Sequence, residues 1–511
     1  MTRRFIILSF LFAVTSCTFL EKDEEDAELQ GMEFSPGDDI QAIVDTHPEV
    51  TTFILKSGTY RMQEIWPKDG DTFIGEDGAI LNGSKILTEF EQDDGLYYAP
   101  NQTQEGEIHG GDPAIWCYEG WERCTHSYDL FFDDEPLRHV TSLGDVAPGK
   151  WFFDYDANRI YFADDPEGYI VETSVSRFAF TDNSNAGNVT IQNLVIEKYA
   201  NTIQYGVVGV GAYCSGWLVD GCEIKLNHGA GVLAGSNFII KENYIHHNGQ
   251  MGIGTGAEGT SNVLFENNEI SYNNYAHCSN ENGGSKFSVT DGLEVIGNYV
   301  HHNIGIGLWT DVDNYNVLYD DNWVWWNDAM GISHEVSHNV IIRNNDVRYN
   351  GIAWGGWLWG SQILIQNSND GEIYNNTVYV HADGGNGISI IHQPRLDPPF
   401  GPFYAQNNYF HDNEVTYFYE WPLSGVDDDT NYDENNDGEG DWACMEEANN
   451  LFDYNTYHIQ SFESTKWSFC IDFLSWDEFK AAGQEPNGTA DILVEMPDDT
   501  PPKVCSICPG L

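Results

Sequence analysis

Basic side chains are scarce in this sequence: 22 Lys and Arg stand against 81 Asp and Glu, a formal net charge of −59 over 511 residues. That balance excludes a nucleic-acid or anionic-membrane surface as partner, because both call for a cationic face. It suits a salty exterior, where screening relieves self-repulsion. Long apolar runs are lacking as well. The longest candidate, Phe5 to Val14, is too short to span a bilayer as a permanent helix. Helical periodicity is missing from the body of the chain, where short β-branched runs follow one another, so the expected class is all-β. Cysteine is sparse at ten residues. In an oxidising compartment, proximity pairs Cys117 with Cys124, Cys214 with Cys222, Cys444 with Cys470 and Cys505 with Cys508, leaving Cys278 over and setting Cys17 aside.

What is present is a repeat. GGSKFSVTDGLEVIGNYVHHN (283–303), GIGLWTDVDNYNVLYDDNWVWWN (305–327) and MGISHEVSHNVIIRNNDVRYN (330–350) show one pattern three times. Asn298, Asn322 and Asn345 match at separations of 24 and 23 residues, and Asn303, Asn327 and Asn350 match in the same register. The pattern extends outward through Cys222/Asn227, Asn243/Asn248, Asn268/Asn273, Asn376 and Asn408/Asn413. Polar residues recurring among apolar strands point to an asparagine ladder, in which stacked amides satisfy one another. Each unit is too small to bury its own apolar face, so the chain reads as a solenoid.

On these residues the chain resembles the right-handed parallel β-helix proteins of the pectate-lyase superfamily, from about Ser35 to Asn413. The expected architecture is a lipoprotein signal peptide (1–17), an acidic tether (18–34), an N-terminal cap and first coils (35–87), a β-rich insertion (88–176), a parallel β-helix (177–415) and a C-terminal appendage (416–511). Arg3 and Arg4 precede the apolar run, and Val14-Thr15-Ser16-Cys17 resembles a bacterial lipobox. Cys17 is then the lipidated residue of an exported, membrane-anchored or secreted protein. Asp38-Asp39 ahead of Ile40 predicts a short capped helix over the open end of the solenoid.

Side chains alternate along a strand, so the register predicts which residues leave the coil. With Gly284, Gly307 and Gly331 aligned, Ser285, Leu308 and Ile332 point inward. Lys286, Trp309 and Ser333 point outward, as do Ser288, Asp311 and Glu335. A lysine beside stacked carboxylates on one face suits elimination on a uronate polymer. That reaction needs a base at the C5 proton and a charge that neutralises the substrate carboxylate. β-Helix pectate lyases, alginate lyases and chondroitinases resemble this arrangement. The resemblance implies Lys286 as base, calcium as neutralising cation, and Glu281, Asp311, Asp313 and Glu335 as its ligands. The arginine those enzymes carry on the following coil is absent, and Trp309 and Asp311 occupy that strand.

His334-Glu335-Val336-Ser337-His338 spells the zincin sequence, but it lies in strand register, where the two histidines point apart rather than along one helical face. His334 is kept as a proton donor to a leaving oxygen, against the alternative of a core histidine. Trp309, Trp354, Trp357 and Trp359 offer aromatic faces for sugar, or packing surface. Asp433, Asn435, Asp437 and Asp441 match an EF-hand-type calcium loop up to its ninth position, with Cys444 where the bidentate acid belongs. The expected function is a polysaccharide lyase on a uronate-containing glycan. The rivals are a glycoside hydrolase using Asp311 and Glu335, a uronate epimerase, although the Asp-Pro-His-Asp motif of mannuronan epimerases is absent, and a non-catalytic glycan-binding or adhesive solenoid.

Overall fold

A two-residue step recurs along the chain and sets its architecture. Glu242, Asn267, Gly297, Asp321, Asn344, Asn375, Asp412 and Tyr454 each take a left-handed backbone, with φ between 54 and 66°. Each is followed by a ladder position that opens the next strand. Asn, Asp and Gly dominate because short polar side chains, or none, tolerate this conformation. The computed structural model describes residues 30–508 apart from 182–184, 210–213, 257, 355, 394–402, 419–422, 429–441, 445, 471 and 494–499. The expected lipobox at Cys17 and the loop from Asp433 to Asp441 lie outside the described residues.

The strands wind into a right-handed parallel β-helix. Two faces are continuous 13-stranded sheets. The third is a four-stranded sheet ending at Gly283–Lys286 and a seven-stranded sheet beginning at Leu308–Asp311. Isolated bridges, Gly283 with Ile306 and Phe287 with Thr310, rather than a continuous ladder join these two. The interior is filled by stacked apolar columns such as Ile240, Phe265, Val295, Tyr319 and Ile342, all fully buried.

The amide ladder is continuous. Asn243, Asn268, Asn298, Asn322, Asn345, Asn376, Asn413 and Asn455 donate each to the next at 2.8–3.1 Å. A second ladder runs from Asn227 through Asn248, Asn273, Asn303 and Asn327 to Asn350, where Gln362 takes the last rung. Each amide also serves the backbone. Asn322, for example, donates to Val295 O at 2.9 Å, and its Oδ1 accepts the Asn298 N–H. That is how buried amides avoid the cost of unmet hydrogen bonds. Asn408 is the exception to the sequence register. That register matches it to the first ladder and Asn413 to the second, but Asn413 takes the first-ladder place, and Asn408 sits before a first-sheet strand and donates to Asn450.

A short helix, Ile40–Thr46, covers the N-terminal end. Asp39 accepts from the Ala42 N–H as its cap, and Ile40 and Val44 turn into the core. The insertion is an eight-stranded sheet bounded by Ser84–Leu87 and Val171–Ser174, which pair antiparallel. One of its pairs, Glu135–His139 with Lys150–Asp154, is parallel. The expectation of an appendage from 416 onward is corrected. Glu414–Tyr417, Leu423–Asp428, Leu451–Asp453, Thr456–Ile459 and Thr489–Ile492 extend the three faces, so coils continue well past Asn413. The repeat is hidden there because the coils lengthen: Asn413 and Asn455 are 42 residues apart.

Disulfides join Cys117 to Cys124, Cys444 to Cys470 and Cys505 to Cys508. The expected Cys214–Cys222 bridge does not form, and both are core thiols. Cys222 begins the first ladder, its N–H donating to Asn243 Oδ1. No helix among the described residues is long and apolar enough to cross a membrane.

Candidate functional site

The register places Lys286, Trp309 and Ser333 in one outward column, and aligns Asp311 with Glu335 beside it. Lys286 ends the last strand of the four-stranded sheet, across the break from Trp309. Its ammonium lies 2.9 Å from Glu281 Oε1 and 3.0 Å from Asp311 Oδ2, with the Trp309 ring 4.5 Å away. Only 8% of Lys286 is exposed. Burial disfavours its charge, but Asp311 and Glu281 outweigh burial and hold its pKa above the ordinary lysine value. In this arrangement Lys286 is a fixed ammonium rather than a ready base.

Lys286 reaches solvent through a cleft of about 460 Å³, lined also by His109, Gln204, Tyr205, Thr255, Glu281 and Ser288. That volume lies in the range of small-ligand clefts. Glu281 fronts the cleft at the edge of a turn, with left-handed backbone and its side chain 27% exposed. Asp311 sits behind the lysine with 13% of its side chain exposed. His109, Gln204 and Tyr205 were not legible from sequence. The first belongs to the insertion, whose docking on the coil no repeat predicts. The other two lie in a turn outside the ladder motif.

The insertion docks through its disulfide loop. The Tyr118 N–H donates to His277 O, the Ser279 N–H to Trp116 O, and the Ser279 hydroxyl to Ile115 O. Trp121 stacks on His277 at 3.9 Å. The loop therefore grips the turn that leads directly into Glu281.

Other expected site residues fall elsewhere. His334 is corrected from an acid facing substrate to a core residue. It alternates inward, is fully buried, bonds Thr310 Oγ1 through Nδ1, and burial lowers its pKa to about 3. Glu335 accepts from Trp309 Nε1 at 3.2 Å. Asp313 lies 3.7 Å from His338 Nε2. Among the described residues no three His, Cys, Asp or Glu side chains could share a metal ion. The expected calcium set of Glu281, Asp311, Asp313 and Glu335 therefore does not fit, since a lysine sits between the first two. Trp357 and Trp359 pack with Leu358 onto Leu364 and Ile391 of the third face, and Trp357 donates to Asp427. They cover the sheet rather than floor a groove. Trp354 is exposed, and Trp309 is half-buried under Lys286.

A family model described as "Right handed beta helix region" matches residues 179–362. No curated protein matches the chain. Among solved structures, the complex of XylC with xylose is 16% identical with a TM-score of 0.62, over 87% of this chain and 86% of that one. The A-module of the Azotobacter vinelandii mannuronan C-5 epimerase AlgE6 is 14% identical with a TM-score of 0.48, over 90% and 95%. The periplasmic alginate epimerase AlgG is 11% identical with a TM-score of 0.39, over 90% and 84%. The likeness to XylC, like the family match, is one of fold: a right-handed parallel β-helix.

Proposed function

We propose that the chain is a carbohydrate-active enzyme that cleaves a uronate-containing polysaccharide by β-elimination in the Lys286 cleft. The observation that carries this reading is one outward, cleft-lining ammonium held between two carboxylates, of which only Glu281 faces the opening. A uronate carboxylate entering the cleft competes with Glu281 for Lys286. Once displaced, Glu281 leaves its ion pair with Lys286 at the moment a C5 proton arrives. Lys286 then neutralises the substrate carboxylate as the carbanion develops, and Asp311 keeps the lysine charged. The C5 proton passes to Glu281, the C4–O bond breaks, and the leaving oxygen takes a proton from solvent. No step passes through calcium. A fold shared with a protein solved with xylose is the weaker support.

A second reading, glycoside hydrolysis, draws on the same pair. Both carboxylates contact one ammonium, so their nearest oxygens are within about 6 Å of each other, a separation compatible with paired-acid chemistry. A panel of uronate polysaccharides, followed both by ultraviolet absorbance of unsaturated ends and by reducing ends, separates the two. Elimination raises both signals, hydrolysis only the second, and neither signal on any polymer leaves a glycan-binding solenoid. Lipid anchoring through Cys17 and a cell-surface location belong to the same proposal. Cys17→Ser should move the protein out of the membrane fraction.

A further inference from the structure

We infer a second ligand site, distinct from the Lys286 cleft, that takes a compact oxyanion where the insertion meets the coil. A cavity of about 60 Å³ is lined by Arg123, Arg138, His139, Trp121, and the pair of Asp129 and His228. It has room for a few heavy atoms and not for a sugar ring.

Its charge is the first argument. In a chain with 81 acidic residues and 22 basic ones, two guanidiniums share one small cavity, and neither has a carboxylate partner among the described residues. Arg123 contacts His126 and reaches Thr141 O at 3.5 Å. Arg138 lies over the Trp121 ring at 4.6 Å. The one carboxylate in the lining is already engaged. Asp129 accepts from Tyr275 at 2.8 Å and lies 3.0 Å from His228 Nδ1, and His228 Nε2 bonds Cys124 O.

Unmet donors are the second argument. The Nε atoms of Arg123 and Arg138 are buried without a partner, and so are both ring nitrogens of His139. His139 is 9% exposed and stacked on Trp151 at 4.0 Å, which fixes its ring plane. Two guanidinium forks and an imidazole lining one cavity, with its one carboxylate already engaged, are the complement of a sulfate or carboxylate, which offers several acceptor oxygens at once. Trp121, held between His277 and Arg138, presents the Arg138 fork in a fixed plane.

The ligand is therefore an oxyanion, either a free ion or the sulfate or carboxylate group of a glycan. The test is calorimetric titration of the full chain with inorganic sulfate, with glucuronate, and with a sulfated uronate oligosaccharide. Saturable heat with sulfate, weakened at least tenfold by Arg138→Gln and by Arg123→Gln, supports the site as one for a free ion, and the same dependence with glucuronate supports entry of a sugar-borne carboxylate. Tighter binding of the oligosaccharide with the same dependence assigns it to a glycan. Each titration is repeated in Lys286→Ala, which removes uronate binding at the elimination cleft; the heat that depends on Arg123 and Arg138 should persist there, so failure here and failure of the elimination reading are separable. If a glutamine variant does not fold, Arg138→Lys keeps the charge, removes the fork, and should still weaken binding. The proposal is overturned by an absence of saturable heat with all three probes, or by variants that bind as wild type does.

Discussion

Asn455 donates its side-chain amide to Glu485 Oε1 at 2.7 Å, so the last rung of an amide ladder is a carboxyl group. Glu485 is fully buried, accepts also from the Tyr457 hydroxyl, and burial raises its pKa to about 7. The sign follows from linkage. A carboxyl whose folded pKa exceeds its unfolded value stabilises fully below the unfolded value, near 4.5, and that contribution is lost as pH rises through about 7. The shift corresponds to roughly 3 kcal/mol. Thermal unfolding should therefore show declining stability between about pH 5 and pH 8, and Glu485→Gln should flatten that decline. An identical pH profile in the variant would remove Glu485 from the account.

The ladder interior makes a second prediction. Asn322→Leu strands the Asn298 N–H, which donates to Asn322 Oδ1 at 3.0 Å, removes one of the three acceptors of the Asn298 amide, and takes the side-chain donor from Val295 O. Each unmet buried group costs about 1–3 kcal/mol. Denaturant unfolding should show a loss of several kcal/mol, and an unchanged midpoint would contradict the ladder's structural weight.

At the cleft, Lys286→Ala should abolish eliminative cleavage while the fold persists. Lys286→Arg should keep measurable turnover, because the role assigned to Lys286 is charge. Complete loss in the arginine variant would return Lys286 to the role of base. Glu281→Gln should lower turnover by about 10²–10⁴-fold, the usual worth of a general base. Chelation should leave turnover unchanged at temperatures where the protein stays folded.

The disulfide loop that grips the coil gives a structural test of the cleft wall. Replacing Cys117 and Cys124 by serine should cost about 2–3 kcal/mol, as expected for so short a closed loop. It should also expose the 113–128 segment to proteolysis and raise KM more than it lowers kcat, because His109 loses its support. Proteolytic resistance equal to wild type would show that docking, not the bridge, fixes the wall.

Charge makes the last prediction unusual in sign. A chain of formal charge −59 repels a polyuronate at long range. Moderate salt should therefore lower KM, whereas screening weakens most charge-driven recognition. A KM that rises steadily from low salt would mean the cleft's local field dominates.

Much of the fold was legible because identical side chains at matched positions can stack only in a coil. Asn298, Asn322 and Asn345 announced it, and alternation then placed Lys286 and Asp311 on one outward face. The site was legible only as far as that alternation reached. Glu281 could be seen beside Lys286 in sequence, but not that it would pair with the lysine instead of a cation. His334 was undecided until its column proved to be the inward one. The cover formed by Trp357 and Trp359, and the docking of the insertion on 274–279, rest on contacts between segments without a shared period. The late coils were missed because a period that stretches to 42 residues is no longer read as one.

The handover between the first two sheets is always two residues, from Gln192–Val195 through Asp453–Thr456, whatever the length of the coil around it. Every extra residue is therefore extruded beside the third face. The backbone behaves as a keel of fixed pitch, and the segments hung from one side can grow or shrink without disturbing it. Lys286 lies on that side. Variation among chains built this way is channelled by the ladder itself into what overhangs the cleft, so substrate preference is free to drift while the coil that carries the lysine stays as it is.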